Sequence, residues 1–243
     1  MKKVRDFISV LGISLGFLLV VNQFFIKKLN DREIVDKFHK LYYDSQVVFD
    51  TYYLGIQSLQ YPTDNWIMQE IIYEVNPDFI IETGTYLGGT TLFYADVLAM
   101  VNENGKVITI DVNPQMEKAS KYKIWKERVE FIHGDSVSAG VIDLITKKVK
   151  NSKVLVTLDS LHSKEHVLQE LKLYAPLVSL NSYIVVQDTH LGGHPNHHHS
   201  VSGQGPWEAV EEFLKTNKNF VIDHSREKHF ITQNPSGYLL RVK

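Results

Sequence analysis

Cysteine is absent from the 243 residues, which excludes a disulfide scaffold, a zinc site built on thiolates and any cysteine nucleophile, and fits a reducing compartment. A surplus of one charge sign is missing too: 26 Lys+Arg stand against 28 Asp+Glu, for a formal net charge of −2. With no basic field to hold a phosphate backbone, the reading includes no nucleic-acid partner. Alanine does not occur before Ala95, so the apolar amino-terminal stretch lacks the small-residue cleavage site that a secretory signal needs. Disorder is excluded by the 44% of hydrophobic residues, and the length suits one large domain with appendages.

From Phe7 to Ile26 the chain reads FISVLGISLGFLLVVNQFFI without a charge, and about 20 such residues can span a hydrocarbon core. The stretch is a candidate membrane helix. The alternative is an apolar helix that docks on the body or on another subunit. Gly12 and Gly16 form a G-x-x-x-G step that lets two such helices approach closely, which allows a homo-oligomer. Charge does not orient the stretch, because Lys2, Lys3 and Arg5 are matched by Lys27, Lys28 and Arg32.

Next, Ile34, Val35, Phe38, Leu41 and Tyr42 recur at helix spacing behind Asp31. A second helical pattern runs from Trp66 through Ile67, Ile71, Ile72 and Val75, with Thr63 or Asp64 as its expected cap and Pro77 as its end. Beyond it, short β-branched runs alternate with amphipathic stretches. The runs are Phe79 to Glu82, Val107 to Asp111, Val129 to Asp135, Val154 to Asp159 and Tyr183 to Asp188, and each finishes on an acid. Those acids fall at roughly the thirty-residue spacing of βαβ units. An α/β fold with a doubly wound, mostly parallel sheet follows, and ligands of such sheets sit beyond the carboxyl ends of the strands. A row of carboxylates gathered on that rim repels itself unless hydroxyls, donors or cations meet it.

The first run enters Glu82-Thr83-Gly84-Thr85-Tyr86-Leu87-Gly88-Gly89-Thr90-Thr91 and then an apolar helix, Leu92 to Met100. Glycines allow a tight turn and close approach of a ligand, and the helix start offers unpaired amide donors, so a nucleotide-like cofactor is expected there. The spacing G-x-x-x-G-G after Glu82 resembles the E/D-x-G motif of class I methyltransferases that bind S-adenosylmethionine. Asp111 is placed to accept from both ribose hydroxyls of either that cofactor or a nicotinamide dinucleotide, and Asp135 and Ser136 are expected beside the adenine. Asp159 and the Gln187-Asp188 pair bring oxygen-bearing groups together from neighbouring strands, which suits a hard cation such as Mg²⁺. His162, three residues past Asp159, is placed to reach a substrate hydroxyl, and an imidazole with the ordinary pKa of about 6.5 is a usable base.

The stretch D-S-L-H-S-K-E-H-V-L-Q-E-L, the strand Tyr183 to Asp188 with Thr189, G-H-P at Gly193 to Pro195, G-P-W-E-A-V at Gly205 to Val210, and N-P-S-G-Y-L-L-R together resemble the cephalosporin hydroxylase and rhamnosyl O-methyltransferase family. The resemblance covers Tyr61 to Lys243. It implies a Rossmann-like class I methyltransferase fold with seven strands, and S-adenosylmethionine with Mg²⁺ as cofactors. It also implies Asp159 and Asp188 as metal ligands and the cofactor over Gly84 and Asp111; Glu82, Thr85, Tyr86, Gly88, Thr90 and Asp159 are the further residues expected to bind that cofactor. One departure stands out: the family usually has Glu-Asp where this chain has Gln187-Asp188. An amide oxygen can still coordinate, but one formal charge is lost.

Between Thr189 and Pro206 the polar stretch HLGGHPNHHHSVSGQG has no period and is expected to be a lid over the acceptor; His190, His194 and His197 to His199 also invite a transition-metal reading. Pro206 starts a helix with Ala209, Val210, Phe213 and Leu214 on its inner face, and FVID, HFIT and Gly237 to Val242 are expected strands that complete the sheet with an antiparallel edge. The expected organisation is an anchor or docking helix over 1–30, a helical arm over 31–76 and a methyltransferase domain over 77–243. The expected activity is Mg²⁺-dependent methyl transfer from S-adenosylmethionine to a hydroxyl of a sugar, glycolipid or secondary metabolite. A small-molecule or glycan acceptor, membrane association through residues 7–26 and a catalytic body in the cytoplasm complete the expectation. Its rivals are a membrane-tethered binding or assembly protein with a degenerate site and a nicotinamide-dependent oxidoreductase.

Overall fold

A computed structural model describes residues 33–191 and 204–243. The chain divides into two units, Met1–Leu41 and Tyr42–Lys243. The pattern behind Asp31 is realised as a helix, α1, which spans 33–44.

The second unit opens with a two-residue hairpin, β1 (Tyr52–Tyr53) against β2 (Ile56–Gln57), followed by α2 (Pro62–Val75). Pro62 occupies the first turn of α2, where its missing N–H removes nothing from the helix. Neither Thr63 nor Asp64 caps it, contrary to the sequence expectation. Thr63 donates its hydroxyl to the Ile231 carbonyl at 2.9 Å, and Asp64 is buried on bonds to the distant Thr232 and Gln233. Asn76, in the left-handed region at φ 46°, closes the helix.

The five apolar runs become β3 (Phe79–Thr83), β4 (Lys106–Asp111), β5 (Val129–His133), β6 (Val154–Leu158) and β7 (Tyr183–Val186). Four crossover helices link them: α3 (Gly89–Val101), α4 (Lys123–Arg128), α5 (Ala139–Lys148) and α6 (Lys164–Tyr174). After α7 (Pro206–Thr216) come β8 (Phe220–Ile222) and β9 (Tyr238–Arg241). The order β5-β4-β3-β6-β7-β9-β8 is parallel through β7 and antiparallel for the last two, which is the doubly wound, seven-stranded sheet expected. HFIT is not a strand. Its residues run past α2 instead, with the Ile231 carbonyl and the Thr232 hydroxyl committed to Thr63 and Asp64.

Both faces of the sheet are covered, which explains why β6 and β7 are buried at every residue. One core packs Ile81, Ile108, Val156 and Ile184 against α5, α6 and α7 through Ile145, Leu171 and Phe213. The opposite core packs Ile80, Val107, Leu155 and Val185 against α2 and α3 through Ile71, Ile72, Tyr94 and Leu98.

The amino-terminal expectation needs correction. No helix among the described residues is long and apolar enough to cross a membrane, so the expected transmembrane helix, membrane association and cytoplasmic placement are not supported. The stretch Phe7 to Ile26 itself lies outside the described residues, as do His194 and His197 to His199 of the expected lid.

The order β3-β6 puts the topological switch at their shared carboxyl ends, where Gly84 has φ 87°. A Cβ on Gly84 would stand 2.0 Å from the Asp159 carbonyl oxygen, so only glycine lets the two strand ends approach this closely. Gly84→Ala is expected to lower the unfolding free energy by about 1–3 kcal/mol or more, read as a fall in urea midpoint with the slope unchanged.

Candidate active site

Strands β3 to β7 deliver their carboxyl ends to one cavity of about 610 Å³, bordered by Gly84, Asp111, Asp135, Asp159 and Asp188. That volume lies within the range of cofactor sites. The turn after β3 supplies one wall. Tyr86, at φ 47°, donates its backbone N–H to Asp111 Oδ2 at 2.8 Å, and the Asn113 N–H meets Oδ1 at 2.7 Å. Two amides thus set the plane of the Asp111 carboxylate while it remains on the cavity. Asp135 is held in the same way by the Val137 N–H at 3.1 Å.

The β1–β2 hairpin closes over the start of α3. A Cβ on Gly89 would meet the Gln57 carbonyl oxygen at 2.2 Å, and Thr90 donates its hydroxyl to the Ser58 carbonyl at 2.7 Å. The chain from Gln57 to Gln60 becomes a second wall of the cavity.

Just beyond the carboxyl ends of β6 and β7 lie Asp159, His162 and Asp188, each offering a ligand atom within 4.8 Å of the others. His162 Nε2 is 3.2 Å from Asp188 Oδ2 and 4.0 Å from Asp159 Oδ1. Asp188 is in the left-handed region at φ 55°, and its N–H is taken by Asn234 Oδ1 at 2.9 Å. Burial, and then the negative charge of Asp188, push the Asp159 carboxyl well above the usual carboxylate range. Two facing carboxylates beside an imidazole, with no Lys or Arg among the described residues that line the cavity, suit a divalent cation, and a cation removes the repulsion that helps raise Asp159.

A third cluster lies on the wall formed by Ser136, Ser160 and His166. Glu170, fully buried, accepts from the Ser136 hydroxyl at 2.6 Å and the Ser160 hydroxyl at 2.7 Å, with His166 Nε2 at 3.5 Å. The Glu170 carboxylate raises the pKa of His166. One acid thereby ties together the loops after β5 and β6, which are not neighbours in the sheet.

Residues 45–242 match the family described as rhamnosyl O-methyltransferase/CmcI. The chain belongs to this family. Curated relatives include a rhamnosyl O-methyltransferase of Mycobacterium bovis, 33% identical over 98% of either chain, and one of Mycobacterium leprae, 34% identical over 86% of this chain and 90% of that one. Among solved structures, CmcI with Mg and SAM superimposes with a TM-score of 0.62 at 16% identity, over 80% of this chain and 78% of that one. An O-methyltransferase from Bacillus cereus with SAH gives 0.53 at 15%, over 66% and 72%. The fold is the class I methyltransferase fold.

Among the residues expected to hold S-adenosylmethionine or Mg²⁺ or to act as the base, Gly84, Thr85, Tyr86, Thr90, Asp111, Asp135, Ser136, Asp159, His162 and Asp188 border one cavity. Three do not. Gly88 is a packing position, since a Cβ there would meet Ala119 and Trp125 at 2.8 Å. Gln187 is buried, and its Nε2 donates to Thr157 Oγ1 at 3.1 Å and Tyr94 OH at 3.4 Å, beneath the rim rather than on the cavity. Glu82 is buried between the Thr91 and Thr109 hydroxyls, which donate to its Oε2 at 2.5 and 2.6 Å. Sequence reasoning missed Gln60, Ser160, His166, Glu170 and Gln233. Ser160, His166 and Glu170 lie inside the family stretch after Asp159, which was a usable signal; Gln60 and Gln233 follow no period or motif spacing.

Burial pushes the Glu82 carboxyl up to about 7 from 4.5, opposed by its two threonine donors. The folded state therefore holds this proton more tightly than the unfolded state. Its stabilising effect is complete below about 4.5 and is lost as pH rises to about 7. Glu82→Gln is expected to remove that loss, on the order of 3 kcal/mol, seen as a smaller difference in unfolding free energy between acid and neutral pH.

Proposed function

We propose that this S-adenosylmethionine-dependent O-methyltransferase methylates a hydroxyl of a sugar, glycolipid or related small molecule, with Mg²⁺ held by Asp159 and Asp188 and His162 as the base. The observation that carries the reading is the convergence of Asp159, His162 and Asp188 on a cavity that Gly84, Asp111 and Asp135 also border. When bound, S-adenosylmethionine supplies an electrophilic sulfonium methyl and Mg²⁺ supplies a Lewis acid that lowers the pKa of an acceptor hydroxyl. Gly84 and Tyr86 keep the backbone close to the donor, Asp111 accepts from its ribose hydroxyls, and Asp135 with Ser136 borders its base.

Asp159 and Asp188 offer the oxygen ligands that Mg²⁺ prefers, which leaves His162 outside that shell. His162 Nε2 would take the acceptor's proton, and bound S-adenosylmethionine would supply the methyl group that the freed oxygen receives, with S-adenosylhomocysteine as the leaving product. The walls from Gln57 to Gln60 and from Ser160 to His166 hold the partners in line, and such positioning is worth effective molarities of about 10⁵ M or more in well-oriented reactions. The acceptor class rests on the curated relatives, which are named for rhamnosyl O-methylation.

His162→Ala is expected to lower turnover by roughly 10²–10⁴ while calorimetric binding of S-adenosylmethionine persists; an unchanged rate removes the base assignment. Asp159→Ala is expected to abolish metal-dependent methyl transfer to sugar acceptors, and full activity of the unaltered protein in chelator would contradict the metal's role.

A further inference from the structure

The Asp159 and Asp188 carboxylates use their two oxygens differently. Asp159 Oδ1 and Asp188 Oδ2 are the atoms nearest His162 Nε2. The other two are taken by neutral amides: Gln60 Nε2 donates to Asp159 Oδ2 at 3.1 Å, and Gln233 Nε2 donates to Asp188 Oδ1 at 3.1 Å. Both glutamines are buried, and neither belongs to a βαβ unit. Gln60 lies between β2 and α2, and Gln233 lies in the loop before β9.

Gln233 is itself fixed from several sides. Its Oε1 accepts from the Tyr61 N–H at 2.7 Å, its Nε2 also reaches the Leu59 carbonyl at 3.3 Å, and its backbone N–H donates to Asp64 Oδ2 at 2.8 Å. Because Oε1 must face an N–H, the amide has only one orientation, with its hydrogens toward Asp188. Asp64 holds the arrangement from below, accepting from the Thr232 hydroxyl at 2.5 Å and the Tyr238 hydroxyl at 3.0 Å.

The chemistry of an amide suits this place. The terminal torsion of an aspartate is broad, so an unheld carboxylate samples many planes. A lysine or arginine would fix the plane but would also neutralise the charge that attracts a cation. An amide N–H fixes the plane and leaves the full formal charge. We propose that Gln60 and Gln233 are positioning residues for the divalent cation, each holding the rear oxygen of one carboxylate so that the front oxygens converge. This rests on the metal reading above.

The test uses the full chain and Mn²⁺ as the probe, with bound and free ion distinguished by electron paramagnetic resonance. Gln60→Ala and Gln233→Ala are each expected to weaken Mn²⁺ binding by about 10- to 100-fold, the usual effect of removing an outer partner of a metal ligand. Gln233 does not border the cavity, and Gln233→Ala leaves S-adenosylmethionine binding measured in chelator unchanged. Methionine at either position, close to glutamine in length but without a donor, gives the same loss and serves where alanine prevents folding. Folded variants that bind Mn²⁺ as tightly as the parent overturn the proposal. So does an equal loss of S-adenosylmethionine binding in chelator by Gln233→Ala, which marks a merely structural role. A parent protein that takes up no Mn²⁺ refutes the metal reading itself, and the proposal with it.

Discussion

The site is organised by the repulsion between two carboxylates that adjacent parallel strands bring to one rim. Asp159 follows β6 and Asp188 lies just past β7, and their strands are hydrogen-bonded neighbours from Val156↔Ile184 to Leu158↔Val186. That register brings the two acids to neighbouring strand ends. Burial makes the repulsion stronger, because little water screens it. The surroundings answer with amide donors behind and an imidazole in front, and the site as a whole calls for a cation of charge two.

The same economy of neutral donors recurs around the rim. Glu82 is met by two threonine hydroxyls, Glu170 by two serine hydroxyls and a histidine, and Asp64 by a threonine, a tyrosine and a backbone N–H. Each of these buried acids spans elements that the chain order keeps apart. Asp64 joins α2 to the loop before β9, Glu170 joins α6 to the loops after β5 and β6, and Glu82 joins β3 to β4 and α3. A hydroxyl donor satisfies a carboxylate without adding a charge. The price is a raised proton affinity, visible at Glu82 and at Asp64, whose carboxyl burial lifts to about 6.

Gln187 belongs to this interior rather than to the cavity. Its amide meets Thr157 and Tyr94 in a region already shared by the fields of Glu82, Asp159 and Asp64, each of which raises the Tyr94 hydroxyl. A glutamate there would add one more buried negative charge to that cluster. The departure from the family's Glu-Asp ending therefore has a local electrostatic sense, whatever its effect on the metal.

Much was legible in the sequence, for a definite reason. Strands buried on both faces must be continuously apolar, so the five runs from Phe79 to Val186 announced themselves, and the acids at their ends marked the rim. The glycine at position 84 and the D-S-L-H run carried the chemistry in local order. HFIT was misread because an apolar tetrapeptide has no period that separates a strand from a segment laid against a helix, and the cap of α2 was misread because Asp64 found partners some 170 residues away. Periodicity reports only which side of an element is buried, and short motifs report only what neighbours in the chain can do together. Sequence by itself thus determined the sheet, its rim and the acids and histidine on it. Tertiary structure alone decided which oxygen of each acid faces the site, because that depends on Gln60 and Gln233, brought there by packing and by no local rule.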